Sequence, residues 1–196
     1  RDAQESRGLG DVYKRQGNAS TIYSLGAESK KAMDHARQTI ADSLGAKPEE
    51  IYFTAGGSES DNWALKATAE AYASKGKHII TTKIEHHAIL HTCEYLEKRG
   101  FEITYLNVDR DGLISLDELK AAIRPDTILI SVMFANNEIG TIEPIAEIGE
   151  IAKEHGVLFH TDAVQAFAHV PINVDEMNID MLSASGCLLY TSPSPR

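Results

Sequence analysis

Several short groups of polar and glycine residues in this 196-residue chain have the composition of ligand-binding or catalytic sites. The first is FTAGGSESDN at 53–62, where a β-rich run leads into a small-residue turn and then into a helix. Glycines let a backbone approach an anion closely, and the free N–H groups at a helix start, with the Ser58 hydroxyl, can hold a phosphate. The spacing fits neither GxGxxG nor a Walker loop, and a plain turn in which Ser58 caps the helix is the alternative.

A histidine-rich segment, EHHAILH at 85–91, is the second group. His87 and His91 are four residues apart and can share a helix face and bind zinc, although only two ligands are evident. His86 lies at the end of a predicted strand, where an imidazole can stack on a planar cofactor or move protons. Ordinary surface histidines are the alternative.

Two further groups directly follow apolar strands. They are FANNEIG at 134–140, with Asn137, and HTDAVQ at 160–165, with Asp162. A carboxylate in such a position can pair with a cationic ring nitrogen or a metal, while a turn and a helix cap are the alternatives. The segment 107–118 also fits a calcium-binding EF-hand loop, but a strand precedes it, so we favour an Asp–Gly turn there.

The elements that must position these groups alternate between helix and strand. Helices are predicted at 26–44, 59–74, 88–98, 115–123 and 145–155, and strands at 51–54, 78–82, 101–106, 127–134, 157–160 and 180–184. This alternation predicts an α/β fold with a mostly parallel sheet and helices on both faces. In the second helix we expect an inward face made of Trp63, Ala64, Ala67 and Ala71.

The convergence of the polar groups follows from this fold. Carboxyl ends of parallel strands meet at one sheet edge, where ligands bind. The residues expected to meet there are Ser58, His86, Asn137, Asp162 and Gln165.

Composition excludes several function classes. Hydrophobic residues make up 42% and charged residues 24%, which is typical of a globular chain. A net charge of −10 disfavours nucleic-acid binding, and no apolar run reaches the roughly 18 residues of a membrane-spanning helix. Two cysteines are too few for a disulfide scaffold, so a cytoplasmic location is expected.

Taken in order, the segments FTAGGSESDN, EHHAIL with HTC, NNEIG, HTDAVQ and SASG resemble the cysteine desulfurases of the NifS/IscS kind. These are pyridoxal 5'-phosphate (PLP) enzymes of fold type I in the class V aminotransferase group. The resemblance spans 17–186 and implies part of a large PLP-binding domain. Other class V PLP enzymes, such as a selenocysteine lyase or an aminotransferase, are the alternatives, and a metal-binding module is the alternative from another class.

The resemblance implies a reaction and its partners. The intact enzyme would remove sulfur from L-cysteine, leaving L-alanine and an enzyme persulfide for iron–sulfur cluster or thio-cofactor assembly. It would be a cytoplasmic homodimer that passes sulfur to an acceptor scaffold protein, with no nucleic acid or membrane partner.

Seven residues match the family's cofactor-binding positions. At the phosphate end, Gly57 and Ser58 would form the phosphate cup, and Ser185 would be a further phosphate ligand. His86 would stack on the pyridine ring and act catalytically in proton transfer.

The other three residues would contact the ring's polar atoms. Asn137 and Gln165 correspond to partners of the phenolic oxygen. Asp162 corresponds to the carboxylate on the pyridinium nitrogen, which keeps the ring an electron sink.

Two reactive residues of the family have no counterpart here. Its SxSG motif continues with His-Lys, whose lysine bonds to the cofactor, whereas Gly186 is followed by Cys187 and Leu188. The family's persulfide cysteine lies further downstream, and Cys93 is expected to be a buried small hydrophobe instead. We therefore expect this chain alone not to turn over cysteine.

The two ends differ from the rest of the chain. Residues 1–16 lack helix and strand periodicity, and 187–196 have a Pro/Ser pattern. Residues 6–16 and 187–196 can be encoded by opposite strands of one DNA sequence, like a sequencing-library adapter. We expect 1–16 and 187–196 to be non-native, adapter-derived tails on the partial domain 17–186.

Overall fold

The computed structural model describes residues 24–186, so both predicted tails lie outside the described residues. The chain divides into two compact units, and the boundary along the sequence falls between Tyr52 and Phe53. Within 24–186, the helices are too short or too polar to cross a membrane.

The first unit contains one long helix. Helix α1 covers Ser24–Leu44 and is followed by a 3-10 turn over Pro48–Glu50. Gly45, with φ of 69°, ends the helix in the left-handed conformation that favours glycine. The helix prediction is confirmed, but the predicted strand at 51–54 is wrong because these residues pair with no strand in the described part of the chain.

The second unit contains an alternating series of helices and strands. They are α2 (Gly57–Ala71), β1 (His78–Thr82), α3 (His87–Glu97), β2 (Glu102–Leu106), α4 (Leu116–Ala122), β3 (Thr127–Ser131), α5 (Ile145–Glu154), β4 (Leu158–Asp162) and β5 (Met181–Ser183). The five strands form one parallel sheet in the order β2-β1-β3-β4-β5. The predicted fold class is confirmed.

Burial shows that both faces of the sheet are covered. Every residue of β1 and β3 is buried. Because successive side chains of a strand point to opposite faces, both faces of the sheet must be covered at these strands. His78 adds a polar tie between strands, since its Nδ1 lies 2.7 Å from Thr127 Oγ1 and its Nε2 lies 2.8 Å from Thr104 Oγ1. His78 therefore links β1 to both of its neighbours in the sheet, β2 and β3.

Helix α2 buries a different face from the one predicted. Its buried residues are Asp61, Leu65, Thr68 and Ala69. Trp63 is 51% exposed, and Ala67 and Ala71 are exposed too, whereas Ala64 is partly buried against the core. The prediction failed because it assumed that the inward face is apolar, while two inward positions are polar.

Candidate cofactor-binding site

One cavity of about 270 Å³ opens at the carboxyl edge of the sheet, close to the lower end of the roughly 300–1,000 Å³ typical of ligand pockets. The structure brings all seven sequence-derived site residues to its wall: Gly57, Ser58, His86, Asn137, Asp162, Gln165 and Ser185. Sequence reasoning missed four other lining residues: Asp61, Met133, Ala135 and Val164.

Sheet topology explains why distant residues meet here. β2 lies on one side of β1, and the next strand in the chain, β3, lies on the other side. This change of direction opens a crevice at the strand ends. The segments after β1, β3, β4 and β5 each contribute lining residues, and the start of α2 closes one end.

The start of α2 presents backbone N–H groups to the cavity. The first intrahelical hydrogen bonds run from the N–H groups of Glu59 and Ser60 to Gly56 O, both at 3.1 Å. The N–H groups of Gly57 and Ser58 precede these bonds and can bind an anion. Gly56 occupies the N-cap position, so the alternative in which Ser58 caps the helix is wrong.

Gly57 also has a steric requirement. A Cβ added there would lie 2.8 Å from Val164 Cγ2 and 3.7 Å from Ser185 Cβ. A side chain at this position would therefore force the Val164 side chain to move, and glycine lets the helix start approach the loop after β4 without that shift.

His86 is placed by the start of α3. It is the N-cap residue, and its Nδ1 accepts a hydrogen bond of 3.2 Å from Ala88 N. In the neutral ring the hydrogen is then on Nε2, which stays available for other partners. His86 is exposed on the rim of the cavity.

A buried acid joins the two loops that carry His86 and Asn137. Glu85 Oε1 accepts hydrogen bonds from Thr82 Oγ1 at 2.8 Å and from Met133 N at 2.9 Å. Its Oε2 has no partner among the described residues, and burial raises the pKa of Glu85 to about 8. Glu85 is therefore protonated at neutral pH and holds the loop after β1 against the loop after β3.

Asn136 strengthens the same junction. Its Nδ2 donates to Ile84 O at 3.0 Å, and its Oδ1 accepts from Glu138 N at 2.8 Å and Ile139 N at 3.0 Å. The side chain thus shapes the loop that presents Asn137 at the cavity rim. The sequence analysis selected only Asn137, on the family resemblance, because the burial of Asn136 is not visible in the sequence.

Asp162 forms part of the buried cavity floor. It is 5% exposed, and its Oδ1 accepts a hydrogen bond of 3.0 Å from Val164 N. Burial raises its pKa, while the Val164 N–H and the charge of His86 oppose that rise. A carboxylate here is suited to a cationic ligand atom, because such a partner would offset the burial.

Asp61 places a second carboxyl beside Asp162. It is 1% exposed, and carboxyl oxygens of the two residues and a ring nitrogen of His86 lie within 4.8 Å of one another. The pKa of Asp61 is raised to about 7. Burial is the largest cause and the charge of Asp162 the second, while a hydrogen bond from Ser183 lowers the pKa in part. At 4.8 Å, two ionised carboxylates would repel by about 3.5 kcal/mol at an effective dielectric constant of about 20.

A neutral histidine lies behind this pair. His160 is fully buried, with Nδ1 2.9 Å from Ser131 Oγ and Nε2 3.0 Å from Ser183 Oγ. Burial lowers its pKa to about 3, so it is uncharged at neutral pH. Its Nε2 is 3.8 Å from Asp61 Oδ1.

The two metal alternatives involve residues outside the cavity wall, although the histidine pair lies beside a second pocket that shares Ser58 and His86 with the cavity. His87 and His91 have ring centroids 5.5 Å apart on α3, beside a second, more open pocket. In the calcium-like loop, Asp109 Oδ1 accepts hydrogen bonds from Asp111 N at 2.8 Å and Leu113 N at 3.0 Å. That carboxylate holds a turn, as the Asp–Gly interpretation expects.

The chain is similar to known proteins over most of its length. A family model described as aminotransferase class V matches residues 9–192. The chain belongs to the class V aminotransferase family. It is 66% identical over 170 residues to a cysteine desulfurase IscS of Methanosarcina thermophila, covering 87% of this chain and 42% of that relative.

Solved structures agree with the fold. A structure titled "SspA in complex with cysteine" has a TM-score of 0.86 at 45% identity, covering 92% of this chain and 53% of that one. A structure titled NifS-like protein has a TM-score of 0.87 at 37% identity, covering 94% and 51%. The chain thus spans about half the length of these class V relatives, and its resemblance to the cysteine desulfurases is confirmed.

The residues present fit the cofactor that this family implies. Free N–H groups at a helix start suit a phosphate, and the buried Asp162 beside an unpartnered Asp61 oxygen suits a cationic ring nitrogen. The described residues that line the cavity include no lysine. Cys93 is fully buried, and burial raises its pKa to about 12, which agrees with its predicted unreactive role.

Proposed function

We propose that this chain is part of a PLP-dependent cysteine desulfurase, which takes sulfur from L-cysteine and leaves L-alanine and an enzyme persulfide. The observation that carries the proposal is the meeting of seven family-matched residues in one cavity at the sheet edge. Similarity to class V relatives named cysteine desulfurase supports it. Iron–sulfur cluster or thio-cofactor assembly would consume the sulfur.

The phosphate end of the cavity is at the start of α2. The N–H groups of Gly57 and Ser58 and the hydroxyls of Ser58 and Ser185 would hold the cofactor phosphate. Helix dipole and free N–H groups act together there, so the phosphate would bind without a cationic side chain.

The ring end lies between His86 and the loops after β3 and β4. His86 would stack on the ring and move a proton through Nε2, since its Nδ1 is engaged by Ala88 N. Asn137 and Gln165, both on the cavity rim, would hydrogen-bond the phenolic oxygen.

Asp162 would hold the proton of the ring nitrogen by accepting its hydrogen bond. When bound, PLP supplies an electron sink that stabilises negative charge at the substrate's reacting carbon. The buried carboxylate makes that sink effective, because a strong ion pair forms where water is excluded.

The rest of the reaction needs residues that this cavity wall does not contain. Breaking the carbon–sulfur bond of cysteine and accepting its sulfur requires a lysine on the cofactor and a reactive thiol. We therefore propose that the chain by itself binds PLP and does not turn over cysteine. We further propose that the whole enzyme is a cytoplasmic homodimer that delivers sulfur to a scaffold protein.

Equilibrium dialysis of the chain against PLP tests the site. We expect saturable 1:1 binding that weakens by about 10- to 100-fold in Asp162→Asn, because a hydrogen bond between charged groups is lost. Glu70→Gln, an exposed substitution on α2, is the matched control and should bind like the parent chain. Equal affinity of Asp162→Asn and the control would contradict the assigned role.

Two further measurements separate the alternatives. An alanine assay with PLP and L-cysteine should yield less than one alanine per chain, and repeated turnover would refute the expected inactivity. Calorimetric titration with zinc and with calcium should show weaker binding than PLP. Tighter binding of either ion would favour a metal-binding module.

A further inference from the structure

We propose that Asp61 is a positioning residue that keeps one proton beside Asp162, so that the two carboxyl groups together carry a single negative charge. Asp162 then presents that charge to the cationic ring nitrogen of the ligand. The identity of the ligand rests on the proposed function, whereas the shared proton belongs to the ligand-free chain.

Geometry gives the first argument. Asp61 and Asp162 are 1% and 5% exposed, and their carboxyl oxygens lie within 4.8 Å. Asp61 Oδ1 has no hydrogen-bond partner among the described residues. Two carboxyl groups that are this close and this shielded from water cannot easily both ionise, so one proton stays with the pair.

The partners of each carboxyl decide which one keeps the proton. Asp162 Oδ1 accepts from Val164 N, and Asp162 also faces His86, and both favour its ionised form. Asp61 is more deeply buried, and burial followed by the charge of Asp162 raises its pKa. The proton therefore belongs mainly to Asp61.

Titratable groups on neighbouring elements agree with this assignment. His160 on β4 is neutral, because burial lowers its pKa to about 3. Glu85, before α3, is also neutral at pH 7, because burial raises its pKa to about 8. Neither supplies a positive charge that would ionise Asp61.

A chain of hydrogen bonds behind Asp61 fixes its orientation. If Ser131 O–H donates to His160 Nδ1, then His160 Nε2–H donates to Ser183 Oγ, and the Ser183 hydroxyl is left to donate to Asp61. One Asp61 oxygen thereby accepts a hydrogen bond, and the other can carry the proton.

Carboxyl NMR of the ligand-free chain, labelled with ¹³C at aspartate, tests the proposal from pH 4 to 9. We expect one aspartate with a midpoint near pH 7. This titration should be absent in Asp61→Asn, where Asp162 should keep the parent midpoint, because a neutral neighbour is present in both proteins while Asp162 titrates. Glu70→Gln, the matched control, should keep the midpoint. The proposal is overturned if no aspartate titrates above about pH 6.

The same NMR titration of Asp162→Asn is an independent test, which remains valid even if Asp61→Asn does not fold. Removing the neighbouring charge should lower the Asp61 midpoint, and an unchanged midpoint would overturn the shared proton. Neither NMR arm requires PLP, so a failure of PLP binding would leave the test of the pair intact.

Binding at several pH values separates a charge role from a purely structural one. Asp61→Asn mimics the protonated carboxyl, so its dissociation constant for PLP should stay within about threefold of the parent at pH 6 and should change less between pH 6 and 8. A uniform loss of affinity at every pH would assign Asp61 a structural role only and overturn the proposal.

Discussion

The buried Glu85 gives a sharp prediction about stability, because its carboxyl is neutral in the folded chain and ionised in the unfolded one near pH 7. We consider Glu85→Gln, which keeps the oxygen that accepts from Thr82 Oγ1 and Met133 N. The new amide group replaces Oε2, which already has no partner among the described residues. The substitution therefore changes the ability to ionise more than it changes the packing.

The size of the effect follows from proton linkage. The pKa of Glu85 rises from 4.5 in the unfolded chain to about 8 in the folded one. Between these values the folded state binds more protons, so this group's contribution to the free energy of unfolding falls as pH rises. The decrease is about 1.4 kcal/mol per pH unit, or about 2.7 kcal/mol from pH 5 to 7.

Urea denaturation at pH 5, 6, 7 and 8, followed by circular dichroism, measures this quantity. The parent chain should lose stability relative to Glu85→Gln as pH rises, so that the difference between the two grows by about 3–4 kcal/mol from pH 5 to 8. The titration of Glu143 contributes equally to both proteins and cancels in the difference, whereas the charge of Asp61 acts on Glu85 and is part of the measured effect. Glu70→Gln, an exposed position on α2, is the control and should give a profile parallel to the parent.

A parallel profile for Glu85→Gln itself would refute the reasoning. It would show that Glu85 ionises in the folded chain or reaches water, and the junction between the loops after β1 and β3 would then need another explanation.

Three other substitutions or reagents test the packing around the site. Asn136→Ala removes the bond to Ile84 O and two loop bonds, so unfolding in urea should show a loss of about 2–3 kcal/mol, together with faster amide exchange in the following loop. Phe159→Ala empties a fully buried position and should cost about 3–5 kcal/mol in the same assay, whereas Ile139→Ala at an exposed position should change stability by less than about 0.5 kcal/mol. Iodoacetamide labelling mapped by mass spectrometry should leave Cys93 unmodified in the native chain and modify it in urea, and rapid native labelling would contradict its burial.

Regular strands were predictable because their hydrophobic pattern is local. The prediction for β1, 78–82, agrees with the structure to the residue. The prediction for β3 ran to Phe134, beyond the observed end at Ser131, because the apolar run continues into the loop. Phe134 N still donates to Asp162 O at 2.8 Å, so interaction with β4 persists past the strand.

The site residues also fall into two groups, those that the local sequence could predict and those that it could not. The residues that follow strands, such as His86 and Asp162, could be placed together because parallel strands share one carboxyl edge. Asp61 and Glu85 could not be distinguished from surface acids, because burial arises from packing between elements distant in sequence. Ionisation in the folded chain is a property of that packing and is not encoded in the local sequence.

The cavity draws its wall from five separate segments: the start of α2, the loops after β1, β3 and β5, and the end of β4 with the loop that follows it. Opening any one of these segments would remove part of the binding surface, so a bound ligand would oppose local opening as well as global unfolding. At a free concentration of 100 times its dissociation constant, a bound ligand would add about 2.7 kcal/mol to the free energy of unfolding. A bound ligand would therefore stabilise the sheet against opening. Amide exchange in the buried strands β1 and β3 should slow, although the residues of these strands do not line the cavity.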